Sequence, residues 1–187
     1  MKLELNLEAN SFMDFAVGKV TKGMEEQVFQ EYFPAVGAVL KELEIRSLRS
    51  FAVLETNLEG IKPEQGAFTY FKNPDFYHDF MNDPRFVKVR PLRDAAMPLL
   101  NDGNMFELPQ QSIELDSENE YALVLSTEHL LQGSPLMELN LAENSPNKYY
   151  DGRTLAMYPW SDEAQALLAS DPDGVIVFRI RFFPIQN

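Results

Sequence analysis

Apolar side chains recur along this chain with two different periods, and the changes of period mark its elements. Between residues 23 and 43 they fall at Val28, Phe29, Tyr32, Phe33, Val36, Val39, Leu40 and Leu43, the three-and-four spacing of a helix with one buried stripe. Glu25, Glu26, Gln30, Lys41 and Glu42 take the wet side, and the two early acids suit the helix dipole. Pro34 lies within the pattern and predicts a kink or a split near Tyr32, because proline lacks the backbone donor and crowds the preceding turn. Strands are predicted on either side, over 12–20 and 47–58. A turn over 59–66, with Pro63 inside it, leads to a third strand at 67–71. Asn73-Pro74-Asp75 then supplies a cap, a first-turn proline and a first-turn acid for a helix. That helix buries Phe76 and Phe80, breaks at Asp83-Pro84 and resumes toward Leu99, and 104–108 is a short fourth strand. The order β-α-β-β-α-β is the ferredoxin-like arrangement.

The polar stretch 109–119 has no strong period and reads as a linker. Beyond it, strands are predicted at 121–126, 135–142 and 153–158, with a long closing strand at 175–183. Ser161-Asp162-Glu163 caps a helix through Ala164, Leu167 and Leu168. The first helix of this second set shrinks to Glu128-His129-Leu130-Leu131-Gln132, too short to cover a sheet by itself. NPDFYHDFMNDP, starting at Asn73, and SDEAQALLASDP, starting at Ser161, both open on a capping residue, set apolar groups four apart and end Asp-Pro. With the shared element order, this predicts an internal repeat. The fold class is therefore α+β, as two ferredoxin-like units, 1–112 and 113–187, sharing one core.

The first half also resembles a known group. The Gly-Met-Glu-Glu opening of the first helix, the block YFKNPDFYHDFMNDPRF and the following VRPLRDAA are similar to the dimeric α+β barrel superfamily. Within it, they resemble the small bacterial domains near the antibiotic-biosynthesis monooxygenases and the YciI-like proteins. The resemblance covers about residues 12–108. It implies two facing sheets that close a barrel with helices outside, here drawn from one chain as a pseudo-dimer. Members range from cofactor-free monooxygenases and lactone isomerases to haem-handling proteins and proteins without known activity, so the fold does not choose the function.

Composition narrows the chemistry further. Twenty-nine acidic against 16 basic residues give a formal charge of −13, spread over both halves. Such a surface repels phosphates, which argues against nucleic acid and anionic membranes as partners. The absence of cysteine among the 187 residues removes disulfides, thiolate catalysis and thiolate metal sites. No apolar run is long enough to span a bilayer, and the N-terminal MKLELNLEANSF lacks the uninterrupted apolar stretch of a signal peptide. A cytoplasmic protein, monomer or homodimer, is expected.

Candidate site residues are few. An imidazole ordinarily changes charge near neutrality, so His78 and His129 are the candidate general bases; the plainer readings are a helix-surface residue for His78 and a turn cap for His129. No convergent ligand set predicts a metal, and no cofactor is expected. Ser134, in Gln-Gly-Ser-Pro-Leu, lacks the second glycine of a nucleophile elbow, and no phosphate-binding glycine pattern occurs. Polar residues alternate with apolar ones on strands expected to line the barrel: Arg179 and Arg181 opposite Ile176, Phe178, Ile180 and Phe182, Glu138 opposite Met137 and Leu139, and Arg49 and Glu55 in the first half. If helices cover the apolar side, the two arginines point inward and pair with Glu138 and Glu55 or grip an acidic ligand. Tyr158 and Trp160 are the candidate aromatic wall. Three functions follow: a binder of a small aromatic or acidic molecule between the sheets, a cofactor-independent monooxygenase or isomerase on an aromatic or enol substrate, and a structural or interaction protein.

Overall fold

The computed structural model describes residues 1–60 and 62–184. Among these residues, ten strands and five α-helices form a mixed α+β fold around a nearly closed antiparallel barrel. The first half runs β1 (Lys2–Leu7), β2 (Phe12–Gly18), α1 (Glu25–Gln27), a π-helical turn (Val28–Tyr32), α2 (Phe33–Glu42), β3 (Arg46–Thr56), β4 (Gln65–Phe71), α3 (Asp75–Asn82), α4 (Pro84–Ala96) and β5 (Met105–Glu107). The second half adds β6 (Gln111–Asp116), β7 (Tyr121–Ser126), β8 (Met137–Asn140), β9 (Thr154–Pro159), α5 (Asp162–Ser170) and β10 (Ile176–Phe182).

Local chemistry accounts for the helix ends. The split expected at Pro34 is a π-helical turn directly before it, which lets the chain skip the hydrogen bond that proline forbids. Asp83 ends α3 in an extended conformation and caps α4 by accepting from the Arg85 N–H. Ser161 caps α5 in the same way through the Ala164 N–H. Residues 128–132, expected as a short helix, form bends instead; five residues cannot repay helix nucleation alone.

Eight strands pair in the order β5-β2-β4-β3-β10-β7-β9-β8. Counting only these strands, each half runs fourth, first, third, second across the sheet, and α3 and α5 each follow the third strand of their half. The halves join along β3 and β10, and the free edges of β5 and β8 meet at a Phe106–Leu141 bridge. The stretch expected as a linker contains β6, paired antiparallel with β1 in a separate ribbon, so the 112/113 boundary falls inside a strand.

The barrel interior is filled. Met13, Phe15, Phe51, Phe68, Phe106, Leu123, Leu155, Met157, Phe178 and Phe182 form one buried cluster with Leu3, Leu5, Leu7, Ile113 and Leu115 of the ribbon. β3, β7 and β8 begin at the same end of the barrel, since β3 and β7 each run antiparallel to β10, and β7 and β8 to β9. The ribbon reaches those starts: Arg46 pairs with Glu8, the Tyr121 hydroxyl accepts from the Asp116 N–H, and the Gln111 amide donates to the Leu136 carbonyl. It therefore closes that end. Tyr150 enters from the other end, fully buried, with its ring 5.7 Å from that of Phe15. Interior packing is tight enough to require glycine at position 66, where a Cβ would run into the Phe51 ring and lie 2.7 Å from the Ala16 carbonyl oxygen. Outside, the first half of the sheet is covered by α2, α3 and α4 through Val36, Val39, Phe80 and Phe86, and the second by α5 through Ala164 and Leu168.

Candidate functional site

The structure does not bring the sequence-predicted residues into the barrel. Phe178, Ile180 and Phe182 fill the interior, which leaves Arg179 and Arg181 on the outer face. The alternation is as expected, but its sense is reversed. Apolar groups are needed inside, and the exposed Leu54, Glu55 and Arg181 show that the helical layers leave the β3–β10 junction wet. Glu55 shares the outer face because a bulge between Arg179 and Ile180 shifts the register, setting Glu55 opposite Arg179 and Val53 opposite Ile180. Glu138 projects outward from β8 and lies 3.3 Å from His129, which is itself exposed. His78 is exposed on α3. Arg49 is placed under the ribbon, donating to the carbonyls of Glu4 and Leu48. Tyr158 packs beneath α5; burial, with the carboxylates of Glu138 and Glu163 nearby, raises its hydroxyl pKa.

What does gather at the ribbon end is a charged and aromatic cluster around Glu120. Its carboxylate accepts from Arg179 Nε at 2.6 Å and from Arg181, and Arg179 also lies 3.6 Å from Glu55. The Arg179 guanidinium stacks over the Trp160 ring, 4.9 Å from its centroid. Burial pushes the Glu120 pKa upward, but the bonds from both guanidiniums outweigh it and hold the carboxyl below its ordinary range. Beside this network runs a groove of about 550 Å³ lined by Glu114, Glu118, Glu120, Tyr121, Leu136 and Trp160. No sequence pattern singles out Glu120, because it lies in the turn before β7, outside any strand alternation.

The ion pairs here are partly exposed: side-chain exposure is 30% for Arg179, 47% for Arg181 and 18% for Glu120. Replacement of Arg181 by methionine should therefore cost only about 0–1 kcal/mol. Arg179→Met should cost more, since it also removes packing from Trp160. Denaturant unfolding of the two variants checks this order, and a loss of about 3–5 kcal/mol for Arg181→Met would indicate a buried pair instead.

A second polar cluster lies at the opposite end, under the helices. Asp14 sits between Met13 and Phe15 on β2, buried, and accepts from the Asn104 N–H at 3.0 Å. Nearby, Asp102 accepts from the Tyr77 hydroxyl at 3.2 Å and lies 3.5 Å from Arg93. Burial first, and then the Asp102 charge, push the Asp14 carboxyl well above its ordinary range. Burial also raises Asp102, opposed by Arg93, and pushes the Tyr32 hydroxyl up to about 12. In the sequence, the signal for this cluster is a lone acid, Asp14, between two interior residues of a strand. Among the described residues no group of three or more His, Asp or Glu side chains converges as a metal site, and no helix is long and apolar enough to cross a membrane.

No family model and no curated protein matches this chain. Among solved structures, the chain is similar to a nipsnap family protein of unknown function from Agrobacterium tumefaciens str. C58, at 14% identity and a TM-score of 0.35, over 54% of this chain and 89% of that one. It is also similar to an anthrone oxidase-like protein at 9% identity and a TM-score of 0.55, covering 97% of this chain and 95% of that one. That second likeness spans nearly the whole of both chains and is one of fold: an α+β barrel.

Proposed function

We propose that the chain is a tandem of two ferredoxin-like units forming one pseudo-dimeric barrel, and that it is a non-catalytic binding protein with its ligand seat outside that barrel. The strand order of the two halves supports the tandem, and the meeting of β5 with β8 leaves no long edge for a second copy to extend. The observation that carries the functional reading is where space and exposed acid lie. The interior is packed with rings, whereas the groove at Trp160 is open and keeps Glu114 and Glu118 exposed after Glu120 has satisfied both arginines, with Glu118 held only loosely by the N-terminal ammonium at 3.8 Å. The ligand is accordingly a small molecule with an aromatic or aliphatic body and a cationic group, not the acidic one that free arginines would favour.

Trp160 is the only tryptophan, so its emission reports this groove directly. Titration with phenethylamine should give a saturable change that weakens with salt and is lost in the Glu114→Gln, Glu118→Gln double variant. Phenylacetate should give none. A response to phenylacetate alone would reverse the assigned charge, and silence to both would leave the interaction-protein reading that a filled barrel favours. The enzyme reading draws on the buried Asp14, the half-buried Asp102 and the fold shared with the anthrone oxidase-like protein. Against it, Tyr77 and Asn104 take up those acids in hydrogen bonds within the fold.

A further inference from the structure

The two edges of the sheet close without a ladder. β5 and β8 touch at the Phe106–Leu141 bridge, extended by the Ala142 N–H donating to the Met105 carbonyl at 2.8 Å. Two loops do the rest of the joining, residues 101–104 before β5 and 143–150 after β8. Ser145 Oγ accepts from the Met105 N–H at 2.9 Å, and the Asn147 N–H donates to the Gly103 carbonyl at 2.8 Å. The Asn147 amide donates to the Asp102 carbonyl at 2.6 Å, and the Tyr149 N–H to Asn104 Oδ1 at 3.1 Å. The Asn101 amide donates to the Tyr150 hydroxyl at 2.9 Å. There is no slack in this join: Gly103 has φ +74°, and a Cβ there would lie 2.7 Å from the Asn147 amide nitrogen and 2.8 Å from the Tyr77 ring.

Beneath the first loop lies Asp14, whose carboxyl accepts from the Asn104 N–H. We propose that Asp14 is a proton-controlled latch on this seam: neutral, it holds the 101–104 loop against the 143–150 loop, and ionised, it favours an opened seam in which water reaches the carboxylate. This goes beyond the groove at Trp160 and is independent of it.

The surroundings of Asp14 argue for this sense. Asp102 faces it from the loop before β5, and Tyr77 faces it from α3. Tyr150 faces it from the second half, with Tyr149 and Arg153 behind. The π-helical turn contributes Tyr32, and α4 contributes Arg93 and Asp94, grouped around Asp102. Arg93 is already shared between Asp94 at 2.9 Å and Asp102 at 3.5 Å. Asp14 therefore has a second carboxylate for a neighbour, and the nearby cation is engaged elsewhere. Burial and Asp102 raise its pKa in the closed state, with the Asn104 and Gly103 N–H groups opposing. A carboxyl whose pKa is raised by closure stabilises the closed state fully below its open-state value, and that stability is lost as pH rises to the closed-state value. Glu42, Asp83, Asp116 and Glu120 are shifted the other way, so global unfolding mixes both signs and the seam must be observed locally.

Amide hydrogen exchange of the intact protein, corrected for the intrinsic pH dependence of each amide, isolates the seam. Its amides at Met105, Asn147 and Tyr149 should open about tenfold more per pH unit from about pH 3.9 up to the closed-state midpoint, then level off. Those of α5 should not follow. Asp14→Asn keeps an acceptor for the Asn104 N–H and removes the charge, so its seam should lose most of this slope, leaving only what Asp102 contributes. Carbon-13 resonances of the wild-type Asp14 carboxyl give a second measurement that needs no folded variant: the midpoint should lie well above about 3.9 and fall in Asp102→Asn. A wild-type seam whose protection does not change with pH, a slope undiminished in Asp14→Asn, or an Asp14 midpoint at the ordinary aspartate value would each overturn the latch.

Discussion

Truncating Phe15 to alanine is expected to cost about 3–5 kcal/mol of folding stability. The ring is fully buried and lies within 5.6–6.2 Å of the rings of Phe51, Phe68, Tyr150 and Phe178. These partners come from both halves of the chain, so the lost contacts cannot be recovered by a shift of one element. Each aromatic pair adds about 0.5–1.5 kcal/mol beyond its buried area, and the remaining void is walled by a closed sheet that collapses poorly. Against a total of about 5–15 kcal/mol for an ordinary domain, the variant should sit close to unfolding. Denaturant titration should show a much lower midpoint with an unchanged slope. Phe29→Ala, at a ring 69% exposed, should stay within about 0.5 kcal/mol of the parent. Benzene should also stabilise Phe15→Ala and leave the parent unmoved, because only the variant offers an apolar void. A loss below about 1 kcal/mol at Phe15 would mean that the interior is not close-packed.

Where the sequence was informative, local chemistry decided the outcome. The cap at Ser161, the break at Asp83-Pro84, the proline at 34 and the three-and-four stripe through Val36 and Val39 act within a few residues, and the structure keeps them all. Strands β2 to β5 and β7 to β10 were legible for the same reason. The ribbon was legible in principle, since Leu3, Leu5 and Leu7, and Ile113 and Leu115, alternate strictly with polar residues. Its charged outer face resembles a linker, and its partner strand lies more than a hundred residues away. The sense of β10 could not be read locally at all. Alternation separates Arg179 from Phe178, but which face turns inward depends on what covers the sheet, and that is decided by the second half having α5 as its one described helix. The bulge that moves Glu55 beside Arg179 and the buried neighbours of Asp14 are likewise products of long-range pairing. The candidate site was therefore legible as residue types and not as a place.

Both halves build one barrel around one filled interior. Of the second half, Leu123, Leu125, Leu155, Met157, Phe178, Ile180 and Phe182 all face that interior. Cut away, they would lie in water with α5 covering only the opposite face of their sheet. The most direct measurement is calorimetry of two fragments divided in the turn after β6, residues 1–117 and 118–187, alone and mixed. The second fragment should show no cooperative transition alone, and the mixture should recover one. A cooperative unfolding endotherm from the isolated 118–187 fragment would contradict the shared barrel.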